Sequence, residues 1–255
     1  APASDPYVAA HLEWLGYVQP RGLVVSAPAL KSAGAILDRS DAEGQRLLRS
    51  LAVSRETPGS DASTETIPDF PIFAEHTRAA VRWLRANAAK YGINPDRIGV
   101  TGGSAGGHLA QFLGVTAGVK DFEGVDNPGF SSAVTCVVNV YGPSDFTKSY
   151  GKSVDAHIVL PMWLGGDVES ARARHIQSSP LNWVNPNAAP TLLIHGTEDK
   201  YVAYEQAVWM RDRLTACGVS VELLTLEGAG HGFKGADAEK ADAALIAYFE
   251  QRLKK

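Results

Sequence analysis

Ser104, Asp199 and His231 are the residues whose types and surroundings point to chemistry, and the chemistry they point to is acyl transfer. A serine hydroxyl is a weak nucleophile. It needs a base to take its proton and a backbone that aims it at a carbonyl carbon. Ser104 stands in Thr101-Gly102-Gly103-Ser104-Ala105-Gly106-Gly107-His108, where Gly102, Ser104 and Gly106 make a G-x-S-x-G pattern. The apolar run Arg97-Ile98-Gly99-Val100 leads in, and the helix-like run Leu109-Ala110-Gln111-Phe112-Leu113 leads out. A tight strand-to-helix turn there exposes the serine and sets the first helical amides beside a developing oxyanion. The backbone N–H of Ala105 is the expected donor.

A base and an orienting carboxylate must come from elsewhere in the chain. His231, in Gly230-His231-Gly232-Phe233, is the candidate base, and Asp199, in His195-Gly196-Thr197-Glu198-Asp199, the candidate orienter. Each has a plainer reading, His231 as a surface histidine in a Gly-rich loop and Asp199 as the cap of the following helix. Glu198 points away if its neighbour points in, and His195 is expected to order its loop by hydrogen bonding. His108 is expected to pack, and Asp145 to serve as a turn residue and a weaker orienter.

The elements that must position these residues follow from the apolar pattern. Arg97–Thr101, Ala133–Val140, Pro190–His195 and Val219–Leu226 read as strands, and such continuous apolar runs suit a parallel sheet covered on both faces. Phe73 to Tyr91, closed by Gly92, Tyr204 to Ala216, and Ala238 to Leu253 read as helices. Strand and helix alternate, so the expected fold is α/β with a doubly wound, mostly parallel sheet. Catalytic groups in such sheets gather at the carboxyl ends of the strands, where the Ser104, Asp199 and His231 loops all fall. The first quarter is less regular. Pro6 to Leu15 and Asp41 to Val53 read as helices, Leu23–Val25 as a short strand, and Arg55 to Asp69 as a loop. This divides the chain into an N-terminal segment, residues 1–66, packing on the core, and a catalytic domain, residues 67–255. An uncovered sheet edge invites pairing, so that segment or a second protomer in a homodimer must cover it.

Composition narrows the partners. The 255 residues carry a formal net charge of -4, which implies no nucleic-acid partner. No apolar run approaches the roughly 20 residues of a membrane span. Cys136 and Cys217 do not make a disulfide framework, and Cys136 reads as a small buried hydrophobe. No metal-ligand cluster or dinucleotide fingerprint is visible, so no cofactor is expected. Compartment is left open between secreted or periplasmic and cytoplasmic.

From about Pro71 to Lys255 the chain resembles α/β-hydrolase serine esterases, close to bacterial feruloyl and acetylxylan esterase-like and hormone-sensitive-lipase-like enzymes. The matching stretches are Ala79–Asn87, Asn94–Ile98, Gly102–Ala110, His195–Asp199 and Gly230–Phe233. The resemblance implies Ser104 as nucleophile, Asp199 as acid and His231 as base of a carboxylesterase acting on small-molecule or polysaccharide-linked esters. It also implies a cap-like insertion near residues 146–183, with Met162 and Trp163 lining a partly apolar pocket. One departure stands out. The family's His-Gly-Gly-Gly-type oxyanion loop has no counterpart before Ser104, since neither His11 nor His76 is followed by glycines. Two other functions stand beside the esterase: a prolyl-oligopeptidase-type peptidase, which shares the Ser, Asp, His order, and, because of the missing loop, a weakly active or non-enzymatic binding protein built on this fold.

Overall fold

Short strands spaced by helices assemble into one sheet whose alternate side chains face opposite helical layers. The computed structural model describes residues 24–25 and 70–253. The strands are β1 (Val24–Val25), β2 (Gly99–Gly103), β3 (Cys136–Val140), β4 (Thr191–Gly196) and β5 (Val221–Leu226), lying in that order across the sheet. β2 to β5 are parallel, with Val100 opposite Val137, Val138 opposite Leu192 and Leu193 opposite Leu223. The short strand expected at Leu23–Val25 is present as β1, but it runs antiparallel to β2. The helices expected at Pro6–Leu15 and Asp41–Val53, the loop at Arg55–Asp69 and the docking of residues 1–66 on the core fall outside the described residues.

The helices are α1 (Ile72–Ala86), α2 (Ala88–Tyr91), α3 (Ala105–Val115), α4 (Ala156–Leu164), α5 (Arg172–Ser178), α6 (Glu205–Ala216) and α7 (Gly235–Leu253). Successive side chains of a strand point to opposite faces, and β3 shows the consequence. Val137 packs with Val81 and Leu84 of α1 and Leu113 of α3, whereas Cys136 and Val138 pack with Tyr248 and Phe249 of α7. The sheet is thus doubly wound. Burial pushes the Cys136 thiol up to about 12 against the opposing charge of Arg252, as fits a thiol that packs as a hydrophobe.

Two boundaries differ from the sequence pattern for local reasons. The single helix expected from Phe73 to Tyr91 divides at Asn87, whose side chain donates to Trp83 O at 2.9 Å and competes with the helical ladder. β3 begins only at Cys136, since Thr135 Oγ1 is occupied with the Ile98 amide at 3.2 Å.

Residues 146–183 form the expected excursion over the carboxyl ends of the strands. It holds 3-10 turns at Phe146–Lys148 and Pro180–Trp183 on either side of α4 and α5. Its anchor is aromatic. Phe146 and Trp163 lie 5.3 Å apart, and Phe70 meets Phe112 of α3 edge-on at 5.4 Å and Trp163 at 6.0 Å. Such pairs add about 0.5–1.5 kcal/mol each beyond the area they bury.

A charged brace fixes α1 to the connection between α3 and β3. Arg78 and Arg82 are both buried, and Glu123 turns one carboxylate oxygen to each, accepting from Arg78 at 3.0 Å and from Arg82 at 2.7 Å. Arg78 also donates to Thr116 O at 2.7 Å and Ser132 Oγ at 2.8 Å. Removing the shared carboxylate leaves two buried guanidinium groups uncompensated. Glu123→Ala should therefore lower stability by about 3 kcal/mol. Urea denaturation measures it, and an unchanged midpoint would show that the brace carries no stability.

Candidate active site

The turn from β2 into α3 places Ser104 at φ 53° and ψ -120°, a backbone region that non-glycine residues rarely adopt. The conformation is held from both sides. Ser104 N donates to Val140 O at 3.0 Å, and Ser104 O accepts from His108 N at 3.0 Å. Glycine is required around it because backbones nearly touch. A Cβ on Gly102 would lie 2.4 Å from the Gly106 carbonyl, and one on Gly107 would lie 2.3 Å from Asn139 Oδ1. The G-x-S-x-G pattern is thus the sequence trace of β2 and β3 approaching α3 closely enough to lift one side chain clear.

Ser104 Oγ stands 2.9 Å from His231 Nε2, and His231 Nδ1 stands 2.7 Å from Asp199 Oδ2. The two contacts set the tautomer: Nδ1–H donates to the carboxylate, and Nε2 accepts from the hydroxyl. Asp199 orients His231 and does not cap the following helix, whose N-cap is Tyr204; its second oxygen closes a turn of its own loop. Oδ2 takes His231, while Oδ1 accepts the N–H groups of Tyr201 and Val202, each at 2.9 Å. Burial by itself pushes the Asp199 carboxyl up. The nearby His195 N–H edge, the hydrogen bonds from His231 and the Val202 amide, and the charge of His231 outweigh it and hold the group well below the usual carboxylate range. Asp199 is therefore ionised at neutral pH.

The other sequence candidates have different tasks. Glu198 is exposed and faces Lys200 at 3.4 Å. Asp145 accepts the Thr147 amide at 2.9 Å and pairs with Lys148. His108 is buried and meets Ser178 O at 2.7 Å, which ties α3 to α5. Tyr141 escaped the sequence reading. It follows β3 at φ 44°, with its ring 4.6 Å from that of His231 and 4.8 Å from Phe233. Tyr201 flanks the imidazole at 5.3 Å. The only sequence signal at Tyr141 was its place at the end of a strand that neighbours the elbow.

Two cavities meet at Ser104 and His231. One, of about 190 Å³, runs under α4 and is lined by Ala105, Pro143, Phe146, Val159, Leu160 and Trp163. Ala105 is the first residue of α3, so its N–H belongs to a turn without intrahelical acceptors. The other cavity, of about 490 Å³, is bordered by Gly103, Tyr141, Phe233 and Leu245. Of the two cap residues expected at the pocket, Trp163 lines it and Met162 does not. Met162 is 61% exposed. Consecutive helical residues stand about 100° apart, and the rotation of α4 turns Trp163 inward and Met162 to solvent. The residues that join Trp163 at the cavity, Leu160 and Val159, lie three and four positions before it, the spacing of one helix face. Among the described residues no group of three or more His, Cys, Asp or Glu could hold a metal ion, and no helix is long and apolar enough to cross a membrane.

The BD-FAE family model matches residues 62–214, a span that includes Ser104 and Asp199 and ends before His231. The esterase LipC of Mycobacterium tuberculosis is 35% identical over 189 residues, covering 71% of this chain and 46% of that protein. The chain spans less than half the length of each of three mycobacterial proteins that it matches. Among solved structures, a truncated form of a carbohydrate esterase from gut microbiota has a TM-score of 0.66 at 29% identity, over 73% of this chain and 70% of that one. An acetyl ester-xyloside bifunctional hydrolase from Caldicellulosiruptor lactoaceticus has a TM-score of 0.62 at 25% identity, over 72% and 67%.

The burial of His108 carries a pH dependence. Burial lowers the His108 pKa from 6.5 to about 4, against the opposing effect of the Ser178 carbonyl. Between those values the unfolded chain binds the proton and the folded chain does not. The stability tied to neutral His108 is therefore complete above about pH 6.5 and is lost as pH falls toward 4. His108→Gln keeps an N–H for Ser178 O but cannot titrate. Its urea midpoint should fall less than that of the wild type between pH 7 and pH 4.5, and equal falls would remove His108 from the acid response.

Proposed function

The chain belongs to the BD-FAE family, and from that premise we propose that it is a serine carboxylesterase working through an acyl-enzyme. The observation that carries this reading is the hydrogen-bonded line from Ser104 Oγ to His231 to Asp199, at 2.9 and 2.7 Å. In the proposed mechanism His231 takes the Ser104 proton as Oγ attacks the ester carbonyl, and the ionised Asp199 stabilises the imidazolium that forms. The carbonyl oxygen turns toward the N–H of Ala105 as it gains charge. His231 then gives its proton to the departing alcohol. A water, deprotonated by the same imidazole, releases the acid and restores Ser104.

The cavity under α4 suits the acyl portion of the substrate, being apolar along Phe146, Val159, Leu160 and Trp163 and open to Ser104 at one end. Small or carbohydrate-linked esters are the proposed substrates. Supporting this are the likeness to a carbohydrate esterase and to an acetyl ester-xyloside hydrolase. The peptidase reading differs at the leaving group, since an amine needs protonation more urgently than an alkoxide or phenolate does.

Turnover of p-nitrophenyl acetate beside a matched peptide anilide tests the reading. The wild type should cleave the ester in strong preference. Ser104→Ala should lose about 10⁴-fold or more in kcat while remaining folded. Near wild-type ester turnover in that variant would refute the assignment of the nucleophile, and preference for the anilide would favour the peptidase.

A further inference from the structure

His195 stands behind the Asp199 carboxylate without entering either cavity. It is the fifth residue of β4, is fully buried, and lies opposite Thr225 of β5. Its Nε2 is 2.8 Å from Val202 O and 3.5 Å from Asp199 Oδ2, the oxygen that accepts from His231. Its Nδ1 is buried with no hydrogen-bond partner among the described residues. No acceptor faces Nδ1, so Nε2–H is the donor edge of the ring. That proton is given to Val202 O, and at 3.5 Å the contact with Asp199 is electrostatic.

We infer that His195 is a positioning residue for the catalytic carboxylate: its Nε2–H edge fixes the Asp199–Val202 turn and limits how strongly Asp199 Oδ2 draws the His231 proton. The inference rests on the esterase reading for its effect on rate, but not for its effect on His231. Two linked contacts carry it. Val202 O accepts from His195 while Val202 N donates to Asp199 Oδ1 at 2.9 Å, so one imidazole closes the turn that holds the carboxylate. The same N–H edge, positive at its tip, faces the oxygen shared with His231. His195 and His231 both offset the effect of burial at Asp199. The titratable groups facing His195 are Asp199, with His231 beyond it, the Tyr204 ring edge-on at 6.0 Å, and Glu205 on α6.

Glutamine can place an amide N–H near the Nε2 position, whereas leucine removes it. His195→Leu should reduce kcat about tenfold with KM within about twofold, since the residue touches neither cavity. The acid limb of kcat/KM should move up by about half a pH unit, as the carboxylate draws the His231 proton more strongly. In proton NMR, the His231 Nδ1–H resonance should move downfield, and His195→Gln should return each readout most of the way. If the leucine variant does not fold, His195→Asn, whose amide falls near the Nδ1 position, replaces it. A folded variant with an unmoved resonance and acid limb, or a glutamine variant as impaired as the leucine one, would overturn the inference. Absence of ester turnover in the wild type would count against the esterase reading, and the resonance, which needs no substrate, would still decide on His195.

Discussion

The close approach of three backbones at the end of β2 is the constraint on which the rest depends. β2, β3 and α3 converge where Gly102 faces the Gly106 carbonyl and Gly107 faces the Asn139 side chain. Any side chain at those glycines would push the helix away from the sheet. With the approach intact, Ser104 is forced to φ 53°, and its amide and carbonyl are tied to Val140 and His108. The strain at one residue is sustained by apolar packing on both faces of the central strands. It raises the hydroxyl at the edge of two cavities and sets the start of α3 beside it.

The carboxylate side of the site solves a different problem. Asp199 must remain charged although its side chain is fully buried. It does so because both oxygens are occupied, Oδ1 by two amides of its own turn and Oδ2 by His231, with His195 behind. Loop order and catalytic geometry are thus one network, and the cap joins it through the elbow helix. His108, four residues after the nucleophile, links α3 to α5 and packs on Phe146 at 4.7 Å. Helical residues that follow Ser104 consequently serve the cavity as well as the turn.

Much of this was legible in the residues because the constraints are local. The glycines around Ser104 mark the elbow, and the histidine and aspartate loops lie where apolar strands end, so the three side chains that the structure brings together could be named. Strand positions followed for a similar reason, most plainly in the buried runs Cys136–Val140 and Thr191–Gly196. The illegible parts depend on distance in space. Whether Met162 or Trp163 faces inward is a matter of helix rotation, which the aromatic cluster decides and the pattern of α4, apolar on nearly every side, does not reveal. Tyr141 reaches His231 only through a backbone turn with positive φ at a non-glycine residue, for which no composition signal exists. The antiparallel direction of β1 has no trace in a two-valine strand either.

The claim at the centre of this account is that His231 makes Ser104 nucleophilic. Covalent labelling by a fluorophosphonate, followed by intact mass and peptide mapping, tests it most directly, because the reagent reports nucleophilicity without any choice of substrate. The account predicts a single adduct on the peptide that carries Ser104, formed quickly by the wild type and far more slowly by folded His231→Ala. A wild-type chain that takes no label, takes it on another residue, or labels equally fast without His231 would contradict it.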